Sequence, residues 1–174
     1  VLILSCGKGS NSEGTLLLNL KEEGKSYDPQ LANDSTGEFV DSLIGEGLTR
    51  EGDNGESLPG VAEKWETSSD GLVWTFHLRK NAKWSNGDPI TANDFKAAWL
   101  RGLNPATAAE YAFMLYPIKN AEEYNKEKAK AEDVGIKVVD DYTLEVTLKA
   151  PVPFFDSMVR IQTYLPQNQK FYDK

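Results

Sequence analysis

The sequence is poor in the residue types that build chemical sites. Its 174 residues include one cysteine and one histidine. A single cysteine excludes a disulfide within the chain. A histidine-based metal site needs more than the one histidine, His77, and no motif places a serine or cysteine nucleophile beside it. We therefore expect no metal and no cofactor.

Basic residues are also scarce. The chain has 27 acidic against 19 basic residues, which gives a net charge of -8. It contains no cluster of lysine and arginine interleaved with aromatic residues, so nucleic acid is not an expected partner. Beyond the first few residues, no apolar run resembles a membrane span.

Paired carboxylates occur at Glu122-Glu123 and Asp140-Asp141. Adjacent residues on a strand or turn point in different directions, and a solvated turn is the commoner use of an Asp-Asp pair. The glycines lie at turns, without the spacing that cradles a phosphate. The sequence therefore indicates a binding or scaffolding protein and not an enzyme.

What the sequence does have is the pattern of an ordinary globular protein, with 40% hydrophobic and 26% charged residues. The most informative stretch covers residues 58–99. In it Trp74, Phe76 and Leu78 alternate with polar residues, which predicts a half-buried strand. A polar cluster ending in Asp70-Gly71 separates this strand from residues 61–66, so we predict a β-hairpin.

A helix is predicted after the Asn86-Gly87-Asp88-Pro89 turn. Thr91 can cap its first turn, with Asp94 at the third helical position, and Asn104-Pro105 ends it. One face of this helix is apolar and consists of Phe95, Ala98, Trp99 and Leu103.

A second hairpin is predicted in the second half of the chain. Residues 136–139 and 142–148 have strand patterns and are joined through Asp140-Asp141. Strands mixed with helices, including two antiparallel hairpins, predict an α+β (mixed α/β) fold class. The other helices predicted here cover 106–116, the charged and solvated 120–130 with a Glu122–Lys126 pair, and a segment starting at Phe154.

The amino-terminal part of the chain predicts one strand and one helix. Residues 15–20 form a continuous apolar run that suits a strand buried on both faces. Ser35 as N-cap and Glu38 at the third helical position make a capping box. The helix that follows has an apolar face of Phe39, Val40, Leu43 and Ile44, and it ends near Gly45 and Gly47.

The first fourteen residues allow two interpretations. An apolar run ends in Ser5 and Cys6 and is followed by a flexible polar linker, as at the end of a bacterial lipoprotein signal cut before Cys6. In that case the Cys6 thiol carries the lipid. The alternative is an apolar strand fragment in which the cysteine is buried.

Several motifs together resemble one known family. These motifs are Pro59-Gly60-Val61-Ala62-Glu63-Lys64-Trp65, Trp74-Thr75-Phe76-His77-Leu78-Arg79, Ala82-Lys83-Trp84-Ser85-Asn86-Gly87-Asp88-Pro89-Ile90-Thr91-Ala92-Asn93-Asp94-Phe95, Asp141-Tyr142-Thr143-Leu144-Glu145-Val146-Thr147-Leu148 and Pro151-Val152-Pro153-Phe154-Phe155. From Thr15 onward the chain resembles the family-5 extracellular solute-binding proteins, in particular the oligopeptide-binding lipoproteins of ABC importers.

The resemblance implies a partial periplasmic-binding-protein type II-like fold. Residues 1–14 would be a signal remnant and linker, 15–44 the start of the first lobe, 45–162 the family's extra domain, and 163–174 the return to the first lobe. The chain would then be an amino-terminal fragment, without the second lobe. The implied function is capture of extracellular oligopeptides for import.

By the same resemblance, the partners are an oligopeptide, the permease and ATPase subunits of the importer, and a lipid anchor at Cys6. The implied location is the outer face of the bacterial cytoplasmic membrane. Two alternatives stay open. One is a receptor of the same fold for another solute, such as a nickel chelate, heme, a sugar or a signalling peptide, and the other is a surface domain without a role in transport.

The resemblance also implies candidate ligand contacts. The loop after Asp28-Pro29 contacts ligand in the family, which makes Asn33, Asp34 and Ser35 candidates, with a helix cap as the alternative role of Ser35. Tyr111 matches a tyrosine on the ligand side, and its alternative is an aromatic side chain half-buried on a short helix. Ile161 falls where some relatives have a ligand-facing histidine.

Overall fold

The structure is a computed structural model that describes residues 17–172. Its helices are α1 (Ser35–Ile44), α2 (Ala92–Leu103), α3 (Ala121–Asn125), α4 (Phe155–Met158) and α5 (Gln169–Tyr172). Its strands are β1 (Thr49–Glu51), β2 (Ser57–Pro59), β3 (Ala62–Thr67), β4 (Val73–Leu78), β5 (Ile136–Asp140) and β6 (Thr143–Thr147). Short 3-10 helices cover Pro105–Thr107, Ala112–Leu115, Ala131–Asp133 and Gln162–Tyr164.

Two hairpins form one four-stranded antiparallel sheet with strand order β3-β4-β6-β5. Both hairpins were predicted from alternating apolar residues, and both predictions are confirmed. In the centre of the sheet, Phe76 lies opposite Leu144 and Trp74 opposite Val146. All these side chains are buried, so the alternating residues form one apolar face. β1 and β2 form a separate small hairpin.

The apolar face of helix α2 lies in the same hydrophobic core as the buried residues of the sheet. The Thr91 backbone N–H donates a 2.7 Å hydrogen bond to Asp94 Oδ2, as the capping prediction required. The four predicted apolar residues, Phe95, Ala98, Trp99 and Leu103, are all buried. The predicted helix is therefore confirmed in its start, its buried face and its end.

The segment after the second hairpin closes this core. Phe155, at the start of the predicted and now observed helix α4, lies between aromatic rings of the sheet and of the following segment. Its ring centroid is 5.8 Å from Trp74, 6.3 Å from Phe76 and 5.9 Å from Tyr164. The ring of Phe155 is tilted against Trp74 and Phe76 and meets Tyr164 edge to face, as is typical of a well-packed core.

The predicted strand over residues 15–20 is not observed where the structure describes it. Residues 17–20 have no regular structure, and Leu17 and Leu18 are 90% and 40% exposed. A strand requires a neighbour for its backbone hydrogen bonds. Within residues 17–172, no strand pairs with this segment, so the prediction is wrong for this part of the molecule.

The capping residue of α1 is Asp34 and not Ser35. Asp34 Oδ1 accepts hydrogen bonds from the backbone N–H groups of Thr36 and Gly37, both at 3.0 Å. Ser35 is thus the first helical residue, and Glu38 lies one position beyond the capping-box site. The predicted box is wrong because the carboxylate one residue earlier reaches the same free amides.

The apolar face predicted for α1 is largely exposed. Phe39, Leu43 and Ile44 are 43%, 49% and 75% exposed, whereas Asp41 is buried on the face that contacts the rest of the described chain. The helix itself and its end at Gly45 are as predicted.

Two predicted helices are shorter than expected. Residues 106–116 contain two 3-10 turns, interrupted by Ala108 in the left-handed region at φ 51°. Residues 120–130 contain only α3, after which Glu127 has φ 59°. The predicted Glu122–Lys126 pair is confirmed, with 2.6 Å between Nζ and Oε1.

Candidate functional site

The short segment Ile161–Leu165 connects the core to the candidate ligand residues. Tyr164 is fully buried, and its carbonyl accepts a 2.8 Å hydrogen bond from Trp99 Nε1. Its hydroxyl donates a 2.7 Å hydrogen bond to the Met114 carbonyl. Burial raises the pKa of the Tyr164 phenol well above its usual range. The phenol therefore stays protonated and remains a donor.

The same segment also holds the loop before α1. Gln162 Nε2 donates a 2.7 Å hydrogen bond to the Ala32 carbonyl. Gln30, itself buried, donates from Nε2 to the Leu165 carbonyl at 3.2 Å. Two hydrogen bonds of this segment thus end close in sequence to candidate residues. The bond from Gln162 to Ala32 lies next to residues 33–35, and the bond from Tyr164 to Met114 lies three residues after Tyr111. Ile161 directly precedes Gln162.

Asp34 is occupied by its role as helix cap. Besides the two amides of α1, its Oδ2 accepts a 2.8 Å hydrogen bond from the Lys25 backbone N–H. The hydrogen bonds from the backbone of Gly37 and then of Lys25 lower the pKa of Asp34. The charged carboxylate accepts three backbone hydrogen bonds and so positions the loop. Beside it, Asn33 is half-buried and Ser35 is exposed.

A second tie between this loop and the core comes from Asp28 and Arg101. The guanidinium of Arg101, on α2, makes two hydrogen bonds to the Asp28 carboxylate, at 2.6 and 2.9 Å. The guanidinium also lies 4.5 Å from the ring centroid of Tyr172. The sequence showed Asp28 only as part of a turn, because a pair separated by 73 positions leaves no local signal.

A groove of about 360 Å³ lies where α1 meets the Ile161–Leu165 segment. Ile161, one of the sequence candidates, lines this groove. Its neighbour Arg160 was not predicted; its Nη2 lies 3.3 Å from Glu51 Oε1, and its Nη1 donates to the Gly55 carbonyl at 3.3 Å. Further lining residues are Glu38, Ser42, Arg50 and Gln162.

Tyr111 lies away from the groove lining, at the start of the Ala112–Leu115 turn. It is 39% exposed, and its ring meets that of Phe113 edge to face, with centroids 5.9 Å apart. Tyr111 thus stands at the N-cap position of a short 3-10 helix with part of its side chain exposed, and its role as a ligand contact and its alternative as a half-buried aromatic both stay predictions.

One buried carboxylate beside this region is unusual. Asp41 is 1% exposed, and among residues 17–172 neither of its carboxylate oxygens has a hydrogen-bond partner. Burial, with a smaller contribution from the negative charge of Asp28, raises the pKa of Asp41 to about 6.

A second cavity, of about 480 Å³, lies at the ends of the sheet strands. His77 lines it, and His77 Nε2 lies 3.3 Å from Glu66 Oε1. Within residues 17–172, no group of three or more His, Cys, Asp or Glu is placed to hold a metal ion. No helix in the same range combines the length and hydropathy needed to cross a membrane.

Comparison with known protein families shows which family this chain belongs to. Residues 56–174 match the family model described as "Bacterial extracellular solute-binding proteins, family 5 Middle". The matched region is more than half of the chain. The chain belongs to this family. The recognition made from the sequence motifs is therefore confirmed.

Two relatives of this family-5 chain come from Bacillus subtilis (strain 168). Its oligopeptide-binding protein is 46% identical over 176 residues, which cover 97% of this chain and 32% of the relative. Its dipeptide-binding protein is 44% identical over 161 residues, with 92% and 30% covered. The family-5 chain thus spans about a third of the length of the relatives it matches.

A solved structure has the same fold. The oligopeptide-binding protein of Listeria monocytogenes, bound to peptide, is 42% identical and superimposes with a TM-score of 0.83. The similarity covers 85% of this family-5 chain and 29% of the other chain. The predicted α+β solute-binding-protein fold is therefore confirmed. Asn33, Asp34, Ser35, Tyr111 and Ile161 stay predictions as ligand contacts, and Cys6 lies outside the described residues.

Proposed function

We propose that this family-5 chain is the amino-terminal part of a receptor that captures extracellular oligopeptides for an ABC importer. The observation that carries the proposal is the fold similarity, at 42% identity, to a structure that contains a bound peptide. The family match over residues 56–174 supports the same class of function.

The proposed domain organisation follows the family resemblance. Residues 1–14 are a signal remnant and linker, 15–44 start the first lobe, 45–162 form an extra domain, and 163–174 return to the first lobe. The exposed apolar face of α1 supports this division, since an apolar face of this kind is suited to packing against further polypeptide. The length of the relatives leaves room for such polypeptide.

The proposed ligand contacts lie around the Ile161–Leu165 segment. Asn33 and Ser35 flank the capping carboxylate of Asp34, which holds their loop in place. Tyr111 presents an exposed ring, and Ile161 lines the groove. In this proposal the peptide lies extended and its backbone is hydrogen-bonded, so that many sequences are accepted. We expect Asp34 to contribute by positioning its neighbours.

The proposal includes binding without catalysis, in line with relatives that are solute-binding proteins. It places the receptor outside the cytoplasm, held by a lipid on Cys6 at the outer face of the membrane. The permease and ATPase subunits of the importer are its proposed partners. Closure of the two lobes around peptide would signal to the permease.

A second candidate is a receptor for dipeptides. The dipeptide-binding relative is 44% identical, almost as similar as the oligopeptide-binding relative at 46%. Peptide length is therefore the property that separates the two candidates.

A thermal-shift screen of the full product of the native gene tests both candidates. The ligands are peptides of two to five residues, with nickel chelate, heme and sugars as comparison solutes. A ligand that binds only the folded state raises the unfolding temperature. We expect peptides of three or more residues to stabilise the protein. Stabilisation by dipeptides alone favours the second candidate, and stabilisation only by a comparison solute contradicts both.

A further inference from the structure

The Ala112–Leu115 turn presents two aromatic rings to solvent. Tyr111 is 39% and Phe113 51% exposed, while Ala112 and Leu115 of the same turn are buried. The two rings touch each other edge to face at an interplanar angle of 69°. This arrangement leaves apolar ring surface uncovered, and covering such surface is favourable.

Hydrogen bonds hold the backbone of the turn that carries the two rings. The Met114 N–H donates to the Tyr111 carbonyl at 3.0 Å, and the Tyr116 N–H donates to the Phe113 carbonyl at 3.1 Å. The Met114 carbonyl in turn accepts the hydroxyl of the buried Tyr164. The backbone of this turn therefore loses little conformational entropy when a ligand covers the two rings.

The two rings include a proposed ligand contact. The ring of Phe113 touches the ring of Tyr111, and Tyr111 is one of the proposed contacts to peptide. A peptide side chain that packs against Tyr111 would therefore also meet the ring of Phe113. Aromatic rings favour contact with other rings and with apolar groups.

We propose that Phe113 is a specificity-determining residue that, together with Tyr111, favours peptides carrying an aromatic or large apolar side chain at one position. This inference rests on the proposed peptide-binding function. It adds a residue that the sequence did not single out and a preference for one class of peptide.

The test uses calorimetric titration of the full product of the native gene. The ligands are trialanine and tripeptides in which one alanine at a time is replaced by Phe or by Ser. The wild type should bind one Phe peptide about three- to tenfold more tightly than its Ser counterpart. Phe113→Ser should weaken binding of that Phe peptide more than binding of its Ser counterpart, and so abolish most of the preference.

Two further variants act as controls. Phe113→Leu keeps an apolar side chain and should retain part of the preference. Phe154→Ser removes another aromatic ring, 62% exposed, from the turn before α4, and should leave the preference unchanged.

The outcomes separate the two proposals. An unchanged preference in Phe113→Ser overturns this inference and leaves the peptide-binding function intact. An equal loss of affinity for every peptide also overturns it, since Phe113 would then act on the structure of the site. If the wild type binds none of these peptides but binds another solute, the proposed function fails and this inference fails with it.

Discussion

The Tyr164 hydroxyl donates a hydrogen bond to the Met114 carbonyl at 2.7 Å, across 50 positions of the chain. The same tyrosine packs edge to face on Trp99, with ring centroids 5.1 Å apart. One buried side chain therefore connects helix α2, the Ile161–Leu165 segment and the turn that carries Tyr111.

Tyr164→Phe should destabilise the protein by about 1 kcal/mol, because it leaves the Met114 carbonyl without this donor while keeping the ring. The measurement is urea unfolding at pH 7. Tyr111→Phe is the matched control, since it removes the same hydroxyl from a tyrosine that is 39% exposed and keeps its ring contact with Phe113. Equal unfolding midpoints for the two variants would contradict the role given to the Tyr164 hydroxyl.

The sheet and α2 could be predicted because their residues carry their own pattern. Trp74, Phe76 and Leu78 alternate at the period of a strand, and Phe95 and Trp99 recur at that of a helix. The apolar residues of the strand and of the helix pack together in the core of the described chain, so the prediction and the structure agree.

The errors have physical reasons that the sequence did not reveal. Asp34 and Ser35 are both good capping residues, and only geometry decides between them. The strand over 17–20 lacks a neighbouring strand in the described residues. The helices over 106–116 and 120–130 are interrupted where the backbone adopts positive φ values.

The sequence named candidate residues for the site, which stay predictions, and it did not reveal the hydrogen bonds that connect their surroundings. The motifs pointed to Asn33, Tyr111 and Ile161 separately. The hydrogen bonds from Gln162 and Tyr164 that link their surroundings span 130 and 50 positions. Such contacts depend on the tertiary fold, so local patterns do not predict them.

Asp41→Asn should stabilise the protein at pH 7 by about 1–3 kcal/mol. The folded-state pKa of Asp41, raised to about 6, lies above the ordinary value of 3.8. The folded state therefore holds the proton more tightly, and the charged form is penalised above pH 6. That penalty disappears as the pH falls from about 6 to 4.

The free energy of unfolding, measured from pH 4 to 8, tests this prediction. The advantage of Asp41→Asn over the wild type should shrink as the pH is lowered. The exposed Glu38→Gln is the control for loss of a carboxylate on the same helix. A difference between Asp41→Asn and the wild type that does not change with pH would show that the Asp41 carboxylate is not penalised by burial.

Asp34→Ala should destabilise α1 more than Ser35→Ala, because Asp34 supplies the cap. Hydrogen exchange of the amides of Thr36 and Gly37 measures this directly. The lowered pKa of Asp34 means that the cap stabilises above the ordinary pKa and is lost as the pH falls through the folded-state value. If Ser35→Ala increased the exchange of these amides more than Asp34→Ala did, Ser35 and not Asp34 would be the capping residue.

The isolated chain of residues 1–174 should bind peptide weakly or not at all. It spans about a third of the length of its relatives, and the resemblance places the second lobe outside it. Calorimetric titration of this chain with the tripeptides used above is the measurement. Micromolar affinity of the isolated chain would mean that the groove beside Ile161 and its surroundings suffice for binding.

The central claim is that this family-5 chain belongs to a peptide receptor. The most direct test is calorimetric titration of the full product of the native gene with an unlabelled oligopeptide such as tetraalanine. The account predicts saturable binding at one site, with an affinity weakened by substitution of Tyr111. No heat of binding with any peptide, together with saturable binding of a nickel chelate, heme or a sugar, would contradict it.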